Sequence, residues 1–227
     1  MEFKVENGDG IDSWKEVTLV YSAALRQMET KMQILNDEFQ HVHQYNPIEH
    51  IKSRIKSPES IVKKLKKHGY ESSIQNMVKY VNDIAGIRVI CSFTSDIYRI
   101  AEMLINQNDI LSVKDYILNP KPSGYKSYHL IVTVPIFLSD RIVDAKVEIQ
   151  IRTVAMDFWA SLEHKIHYKF EGNAPEHIKK ELVECAMMVS DLDARMLSLN
   201  EEVQELIARQ KEEAAQTEAV KTEESVI

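Results

Sequence analysis

The spacing of apolar side chains separates helical from extended segments in the first third of the chain. Apolar residues recur every three or four positions over residues 12–42, as expected for a long helix that buries one side. Asn46-Pro47 ends this pattern, and a weak alternation over residues 48–56 predicts a short strand. A second helix is predicted to start at Ser57-Pro58, where serine can cap the first turn and proline can occupy it, and to end at Gly69.

The middle of the chain alternates between strand-like and helix-like segments. Apolar runs predict strands at Ile87–Phe93, Ser112–Ile117, Tyr128–Val134 and Ala145–Ile151. Further helices are predicted at Ser73–Val81, at Asp96–Asn106 and from Thr153 to about Lys169. Because some connections are helical and others are tight, we predict an α+β fold with a mixed β-sheet flanked by helices.

The last predicted helix starts near Pro175 and carries apolar residues at alternating four-three spacing. These residues are Ile178, Leu182, Cys185, Val189, Leu192, Met196, Leu199, Val203 and Leu206. The repeat, sustained over about four heptads, is typical of a coiled coil or a long antiparallel helix pair. Packing against residues 12–42 of the same chain and packing between subunits both explain it, and the sequence leaves both open.

Length and composition predict one globular domain. The chain has 227 residues, of which 44% are apolar, enough for a substantial core. We divide it into a flexible N-terminus (1–11), a domain that includes the terminal helices (12–210) and a disordered acidic tail (211–227). No apolar run approaches the ~20 residues of a membrane-spanning helix, and no signal peptide is visible, so we expect no membrane association.

The two cysteines indicate in which cellular compartment the protein folds. Cys91 lies in a strand-like run and Cys185 on a helical stripe, and both are predicted to be buried free thiols. Neither CxxC nor a zinc-binding spacing occurs. This cysteine usage suits a reducing cytoplasm.

The net charge of −7 is unevenly distributed. Residues 201–227 hold eight Glu and three basic residues, whereas residues 51–68 hold seven Lys or Arg and a single Glu. In an acidic protein, a concentrated basic segment predicts an anionic ligand.

Polar residues are collected at the ends of three strand-like runs. Apolar residues alternate with Glu148, Gln150 and Arg152, so an extended strand would bury one face and line the other with polar groups. The segments Asp83–Arg88 and Ser123–His129 each lead into another apolar run. Binding sites on sheets tend to lie at such strand ends, so we predict one site built from the three segments.

The chemistry available to this site is phosphoryl-type group transfer. Neither GxxxxGK[ST] nor GxGxxG occurs, so phosphates would be held by side-chain cations and a metal ion. Asp83 and Glu148 are the carboxylates best placed to hold Mg²⁺, and such a carboxylate can also accept a proton from an attacking hydroxyl. Tyr125 could stack on a base. The available cations are Arg54, Lys56, Lys64, Arg88 and Lys121.

Three segments resemble the synthetase domain of RelA/SpoT-type enzymes, namely Asp83–Arg88, Lys121–His129 and Glu148–Thr153. Phe158–His164 also matches, and the pattern is that of single-domain small alarmone synthetases. The resemblance implies a nucleotidyltransferase-like fold with long terminal helices. It further implies transfer of the β,γ-pyrophosphate of ATP to the 3′-hydroxyl of GTP or GDP, giving AMP and (p)ppGpp in stringent-response signalling. No His-Asp hydrolase motif is visible, so no hydrolase activity is expected.

The resemblance also implies roles for residues on the ATP side. Asp83 would hold Mg²⁺, and Glu148 would activate the 3′-hydroxyl and approach the metal. Arg54 and Arg88 would sandwich the adenine, a use of guanidinium planes that lysine cannot replace. The residues that would face the ATP phosphates are Lys56, Ser60 and Lys64.

On the acceptor side, Tyr125 would stack on the guanine. The other residues implied for GTP or GDP binding are Lys121, Lys126, His129, Gln150, Arg152 and His164. Two positions depart from the family pattern. Lys126 stands where many relatives have Arg, and Asp157 stands where some have Asn near the guanine. An Asp at that position could still accept hydrogen bonds from the guanine.

The resemblance implies a homo-oligomer, with a tetramer expected, and RNA as an added regulator. Two rival functions differ from it. A nucleotidyltransferase of the polymerase-β type would require a closely spaced carboxylate pair, D-x-[DE], and none occurs at a strand end. An RNA-binding module would use the basic stretch 51–68, but that stretch has no interleaved aromatic residues.

Overall fold

A mixed five-stranded β-sheet with helices around it organises the part of the chain that the computed structural model describes, which is residues 13–43, 45–107, 109–170 and 174–224. The predicted α+β class is confirmed. In chain order the elements are α1 (Trp14–His41), β1 (Ile48–Ile55), α2 (Pro58–Lys67), α3 (Ile74–Tyr80), β2 (Ala85–Cys91), α4 (Thr94–Gln107), β3 (Asp109–Asp115), β4 (Tyr128–Phe137), β5 (Ile142–Thr153), α5 (Val154–Lys169) and α6 (Glu176–Glu224).

The strand order β1-β2-β5-β4-β3 places β5 at the centre of the sheet. β2 and β5 are parallel, and the other neighbours pair antiparallel. The last strand in sequence therefore lies between β4, which directly precedes it, and β2, which comes much earlier in the chain. As a result, the polar residues of β5 face groups from both sides of the sheet.

One face of the sheet is covered by α1 and α4. Ser13 caps α1 by accepting a hydrogen bond from the backbone N–H of Glu16 (3.2 Å). The apolar stripe of this helix buries Tyr21, Met32 and Phe39 almost completely against the sheet. The opposite face of the sheet is left for polar side chains.

Strand ends differ from the sequence prediction by a few residues. β2 starts at Ala85 rather than at Ile87, because Ala85 and Gly86 pair with Val147 and Glu148 of β5. Alanine and glycine have poor strand propensity, and the parallel neighbour overrides it. β5 likewise covers 142–153 rather than 145–151, since residues 142–151 pair with β4 and residues 152 and 153 pair with β2.

The C-terminal helix is longer than predicted. α6 continues to Glu224, so the backbone of 211–224 is helical where disorder was predicted. Ala, Glu, Lys and Gln dominate that stretch, and all four have high helix propensity. The predicted flexible segment 1–11 lies outside the described residues, and the division into domains stays a prediction.

The apolar repeat of α6 does not pack along α1. The main partners of α6 are α5 and, to a smaller extent, α4, so the intramolecular alternative was wrong for the described residues. Leu192 and Leu199 remain 53% and 54% exposed. Cys91 is a buried free thiol as predicted, but Cys185 is exposed, so its predicted burial was wrong. None of the described helices has an apolar stretch long enough to cross a bilayer.

Candidate active site

Two adjacent rows of side chains cross the polar face of the sheet. Directly paired residues on neighbouring strands point to the same face, so the strand register defines each row. The first row contains Lys52, Arg88, Gln150, His129 and Lys114, and the second contains Arg54, Gly86, Glu148, Ile131 and Ser112. On the opposite face the alternating residues Val147, Ile149 and Ile151 are fully buried, as predicted.

Two clefts open on this face and share a wall. The larger cleft has a volume of about 490 Å³ and the smaller one about 240 Å³. Asp83, Glu148 and Gln150 line both of them. The larger cleft is also lined by Lys64, Lys114, Tyr116, Lys121, Tyr125 and His129, and the smaller one by Lys52, Ser53, Arg54, Gly86, Ile87 and Arg88.

Asp83 lies in the turn between α3 and β2, between two lysines. Its Oδ2 atom is 2.8 Å from Lys56 Nζ, and its Oδ1 atom is 2.9 Å from Lys64 Nζ. The backbone N–H of Lys56 donates to the carbonyl of Ile84 (2.8 Å), which fixes the end of β1 beside this turn. Burial opposes ionisation of Asp83, but the hydrogen bonds and charges of the two lysines outweigh it, so the pKa of Asp83 is lowered.

Glu148 is held through both carboxylate oxygens. Its Oε1 atom is 3.3 Å from His129 Nδ1, and its Oε2 atom accepts a hydrogen bond from Gln150 Nε2 (2.7 Å). Burial raises the pKa of Glu148, but the interactions with His129 and Gln150 more than offset it and the net pKa is lowered. Glu148 is therefore a fixed, ionised carboxylate at neutral pH.

Tyr125 lies in the larger cleft with its hydroxyl already engaged. The hydroxyl shares a hydrogen bond with His129 Nε2 (2.9 Å) and accepts one from Arg152 Nη2 (2.5 Å). Lys121 Nζ lies 4.7 Å from the ring centroids of both Tyr125 and Tyr116. The ring is thus oriented by protein contacts on its edge, and a cation lies over it.

Arg54 and Arg88 lie diagonally across the β1–β2 pair. Arg54 pairs with Gly86 and Arg88 pairs with Lys52, so both arginines point into the smaller cleft. Gly86 carries no side chain between them, which leaves room for a planar group. Arg88 is anchored from behind, because its Nη1 atom is 2.9 Å from Asp157 Oδ1.

The two shared carboxylates fit a hard divalent cation. Among the described residues, no cluster of three or more metal-ligating side chains occurs. Mg²⁺ does not require one, because it keeps several waters and is usually bound by one or two carboxylates together with phosphates. Asp83 and Glu148 supply the carboxylates at the junction of the two clefts, so the donor set is suitable.

Five predicted site residues do not line either cleft as expected. Lys56 contacts Asp83 (2.8 Å) but lines neither cleft. Arg152 is only 4% exposed and contacts Tyr125 and Gln150 from beneath. Lys126 points away from Tyr125 into a separate cavity beside α6, because successive residues of an extended segment face opposite sides. Ser60 is exposed in the first turn of α2, where its hydroxyl accepts a hydrogen bond from Ser57. His164 is also exposed.

Sequence reasoning missed several residues of the larger cleft. Ser112, Lys114 and Tyr116 follow one another at spacing two along and just beyond β3, and all three line this cleft. Their alternation along one strand is the signal in the sequence that predicts a shared face. Glu163, next to His164 on α5, also lines the larger cleft. Successive helical residues point about 100° apart, so only one of these two neighbours can face the site.

Comparisons with known proteins identify the family of this chain. Residues 53–173 match the family described as a region found in RelA/SpoT proteins. Over 195 residues the chain is 49% identical to the GTP pyrophosphokinase YwaC of Bacillus subtilis, covering 85% of this chain and 93% of that protein.

Two solved structures have the same fold. The small alarmone synthetase 2 of B. subtilis is 48% identical with a TM-score of 0.75, covering 83% of this chain and 98% of that one. The small alarmone synthetase 1 of B. subtilis, bound to its product pppGpp, is 35% identical with a TM-score of 0.79, covering 84% and 98%. The chain therefore belongs to the RelA/SpoT family and shares the fold of its small alarmone synthetases.

Proposed function

We propose that the chain is a GTP pyrophosphokinase that transfers the β,γ-pyrophosphate of ATP to the 3′-hydroxyl of GTP or GDP. The products are AMP and (p)ppGpp. The observation that carries this proposal is the pair of clefts whose common wall is made by Asp83, Glu148 and Gln150. Group transfer between two nucleotides requires two neighbouring sites that meet at charged groups, and this arrangement supplies them.

ATP occupies the smaller cleft in this proposal. Arg54 and Arg88 flank the space beside Gly86 and would sandwich the adenine. Lys56 and Lys64 both contact Asp83 and would turn toward the triphosphate when it binds. Ser60 lies in the first turn of α2 and stays a predicted phosphate contact.

GTP or GDP occupies the larger cleft. Tyr125 offers its ring to the guanine, and its edge contacts keep that ring in place before the base arrives. Lys121 lies over the ring and would move toward the phosphates of the acceptor. Direct contacts of Lys126 and His164 with the acceptor stay predictions, since neither residue lines this cleft.

Glu148 is the proton acceptor in the proposed reaction. The 3′-oxygen attacks the β-phosphorus of ATP, the bond from that phosphorus to the α,β-bridging oxygen breaks, and the hydroxyl proton passes to Glu148. The lowered pKa keeps the carboxylate ionised but makes it a weak base. This combination suits a loose transition state in which proton transfer is late and charge neutralisation dominates.

A divalent metal is part of the proposal. Asp83 and Glu148 would hold it, and we propose Mg²⁺ because the donor set consists of oxygens and leaves room for water and phosphates. When bound, the ion neutralises the charge of the phosphates. Lys56 and Lys64 would add to that neutralisation from the side of α2.

The test is product formation from ATP, GTP and Mg²⁺ with two isosteric variants. We expect AMP and a pyrophosphorylated guanosine nucleotide to accumulate in equal amounts. Glu148→Gln and Asp83→Asn are expected to lower turnover by about 10²-fold or more, with unchanged circular dichroism. Failure of the wild type to form AMP with either GTP or GDP would refute the function. Near-normal turnover in one variant would remove that residue from its role.

Assembly, location and regulation complete the proposal. The exposed apolar repeat of α6 supports a homo-oligomer, for which we propose a tetramer. The two free thiols support a cytoplasmic location. RNA regulation stays a prediction. Two residues of the basic stretch, Arg54 and Lys64, line the nucleotide clefts instead of forming a separate RNA-binding surface.

A further inference from the structure

Asp157 connects the two clefts through a single carboxylate oxygen. It lies in the first turn of α5 and is 9% exposed. Its Oδ1 atom is 2.9 Å from Arg88 Nη1 and 3.1 Å from Arg152 Nη1. Arg88 lines the smaller cleft, whereas Arg152 holds Tyr125 (2.5 Å) and Gln150 (2.8 Å). One anion is therefore shared by the two arginines that serve the two clefts.

The charge of Asp157 is required by its surroundings. Arg152 is buried. Burial and, after it, the like charge of Arg152 lower the pKa of Arg88, whereas the negative charge of Asp157 raises it. Without the carboxylate, two guanidinium groups would face each other with no anion between them. An asparagine of the same shape would offer an oxygen but would leave that repulsion uncompensated.

Arg88 retains a buried donor that no described residue engages. Its Nε atom is buried and has no hydrogen-bond partner among the described residues. Arg88 is thus less completely fixed than Arg152, whose Nε, Nη1 and Nη2 atoms all have partners. A ligand that draws Arg88 toward itself would break the contact between Arg88 and Asp157. Asp157 would then pair with Arg152 alone.

The described contacts of Asp157 are with arginines. Its Oδ1 atom is occupied by Arg88 and Arg152, and Asp157 does not line the larger cleft. The expected contact with the guanine stays a prediction. The role inferred from the described contacts is indirect, because they act on the nucleotides through the arginines.

We propose that Asp157 is a positioning residue that couples the two nucleotide sites. Adenine binding draws Arg88 into the smaller cleft, Asp157 then pairs more fully with Arg152, and Arg152 fixes Tyr125 and Gln150 for the acceptor. The inference rests on the proposed function, and it predicts that each nucleotide strengthens binding of the other. Thermodynamic linkage makes this effect reciprocal.

The experiment measures the Kd of GTP with and without an ATP analogue that has a methylene group between the α- and β-phosphorus. This analogue cannot release AMP, so binding is observed without turnover. In the wild type we expect the analogue to tighten GTP binding by about fivefold or more. In Asp157→Asn we expect this difference to disappear, and KM to rise for both ATP and GTP. Asp157→Glu keeps the charge and should restore part of the coupling.

Two further variants make the test specific. Arg88→Lys should also abolish the coupling, and adding Asp157→Asn to it should have little further effect, because both changes break the same link. Asp140→Asn removes an exposed aspartate that pairs with Arg141 away from both clefts, and it should leave coupling and KM values unchanged.

Several outcomes would overturn the inference. Wild-type GTP affinity that is unaffected by the analogue refutes it, while AMP formation by the same enzyme leaves the proposed function intact. An Asp157→Asn variant that raises only the KM of GTP and keeps the coupling would make Asp157 a direct acceptor contact. A variant with a lower Tm but normal KM values and normal coupling would make it purely structural.

Discussion

Tyr125 shows how one side chain in the site is oriented by several neighbours. Its hydroxyl contacts His129 and Arg152, and its ring lies edge-on to that of Tyr116 (70°, centroids 6.1 Å apart). A ring fixed in this way loses little rotational freedom when a base stacks on it, which favours binding. The phenol also connects base recognition to Glu148, because His129 contacts both residues.

Two substitutions separate the ring of Tyr125 from its hydroxyl. Tyr125→Ala removes the stacking surface and is expected to weaken the acceptor by about 1–3 kcal/mol, which is about 5- to 150-fold in affinity. Tyr125→Phe keeps the ring and should cost less, because only the contacts with His129 and Arg152 are lost. Isothermal titration with GTP measures both effects. Acceptor affinity that is unchanged in Tyr125→Ala would show the stacking assignment to be wrong.

Among the secondary-structure elements, α6 supports the loop that carries Tyr125. Gly124 has φ +85°, and a Cβ atom at this position would lie 2.5 Å from Ala186 Cβ of α6. Only glycine permits this backbone conformation together with such close approach. Nearby, Trp159 Nε1 donates to the carbonyl of Leu182 (2.9 Å) and fixes α5 on α6. The position of α6 therefore determines the position of the loop.

Enlarging Ala186 should displace this loop. Ala186 is buried against Gly124, and Ala186→Leu would overpack the contact at a cost of about 1–3 kcal/mol. We expect the KM of GTP to rise several-fold and the KM of ATP to change little, since Arg54 and Arg88 lie on other elements.

The matched control is Ala194→Leu, which changes an exposed alanine of the same helix. Steady-state kinetics with each nucleotide varied in turn measures both variants. Equal rises in the two KM values for Ala186→Leu would contradict a specific effect on the loop. A rise in the KM of GTP for the control would contradict it as well.

At the level of the molecule, no described element packs over the exposed apolar stripe of α6. The stripe consists of Leu192, Met196, Leu199, Val203 and Leu206, each about half exposed. A continuous apolar stripe of this length on one helix is typical of an interaction surface. Since α6 also supports the loop of Tyr125, subunit contacts would act on a helix that contacts the active site.

A double substitution tests this surface. Leu192→Glu with Leu199→Glu places charges on the stripe and is expected to convert an oligomer into monomers, because buried unpaired carboxylates oppose association. Light scattering coupled to size exclusion measures the mass. Ser198→Glu adds a charge at an exposed position beside the stripe and should leave the mass unchanged. A monomeric wild type, or a double variant with the wild-type mass, would contradict the prediction.

Much of the fold could be predicted from local patterns. Strand periodicity correctly put Glu148 and Gln150 on the face opposite the buried valine and isoleucines of β5. The Ser57-Pro58 start of α2 was also correct, since capping depends on neighbouring residues alone. These successes share a physical basis, because period-two alternation and helix caps are fixed within a few residues of sequence.

Other features depend on which segments become neighbours. Lys126 lines a cavity beside α6, and Arg152 is buried beneath Tyr125. Asp157 turns toward two arginines because α5 docks where β2 and β5 lie side by side. No local rule determines these contacts.

The sequence by itself therefore determined most of each helix and strand, the shared carboxylates and the family motifs that indicate the reaction. The tertiary structure decided the order of the strands, the two rows of side chains, the common wall of the clefts and the bridge at Asp157. The reason is that strand register and helix docking arise from many simultaneous long-range contacts, whereas periodicity and caps are local.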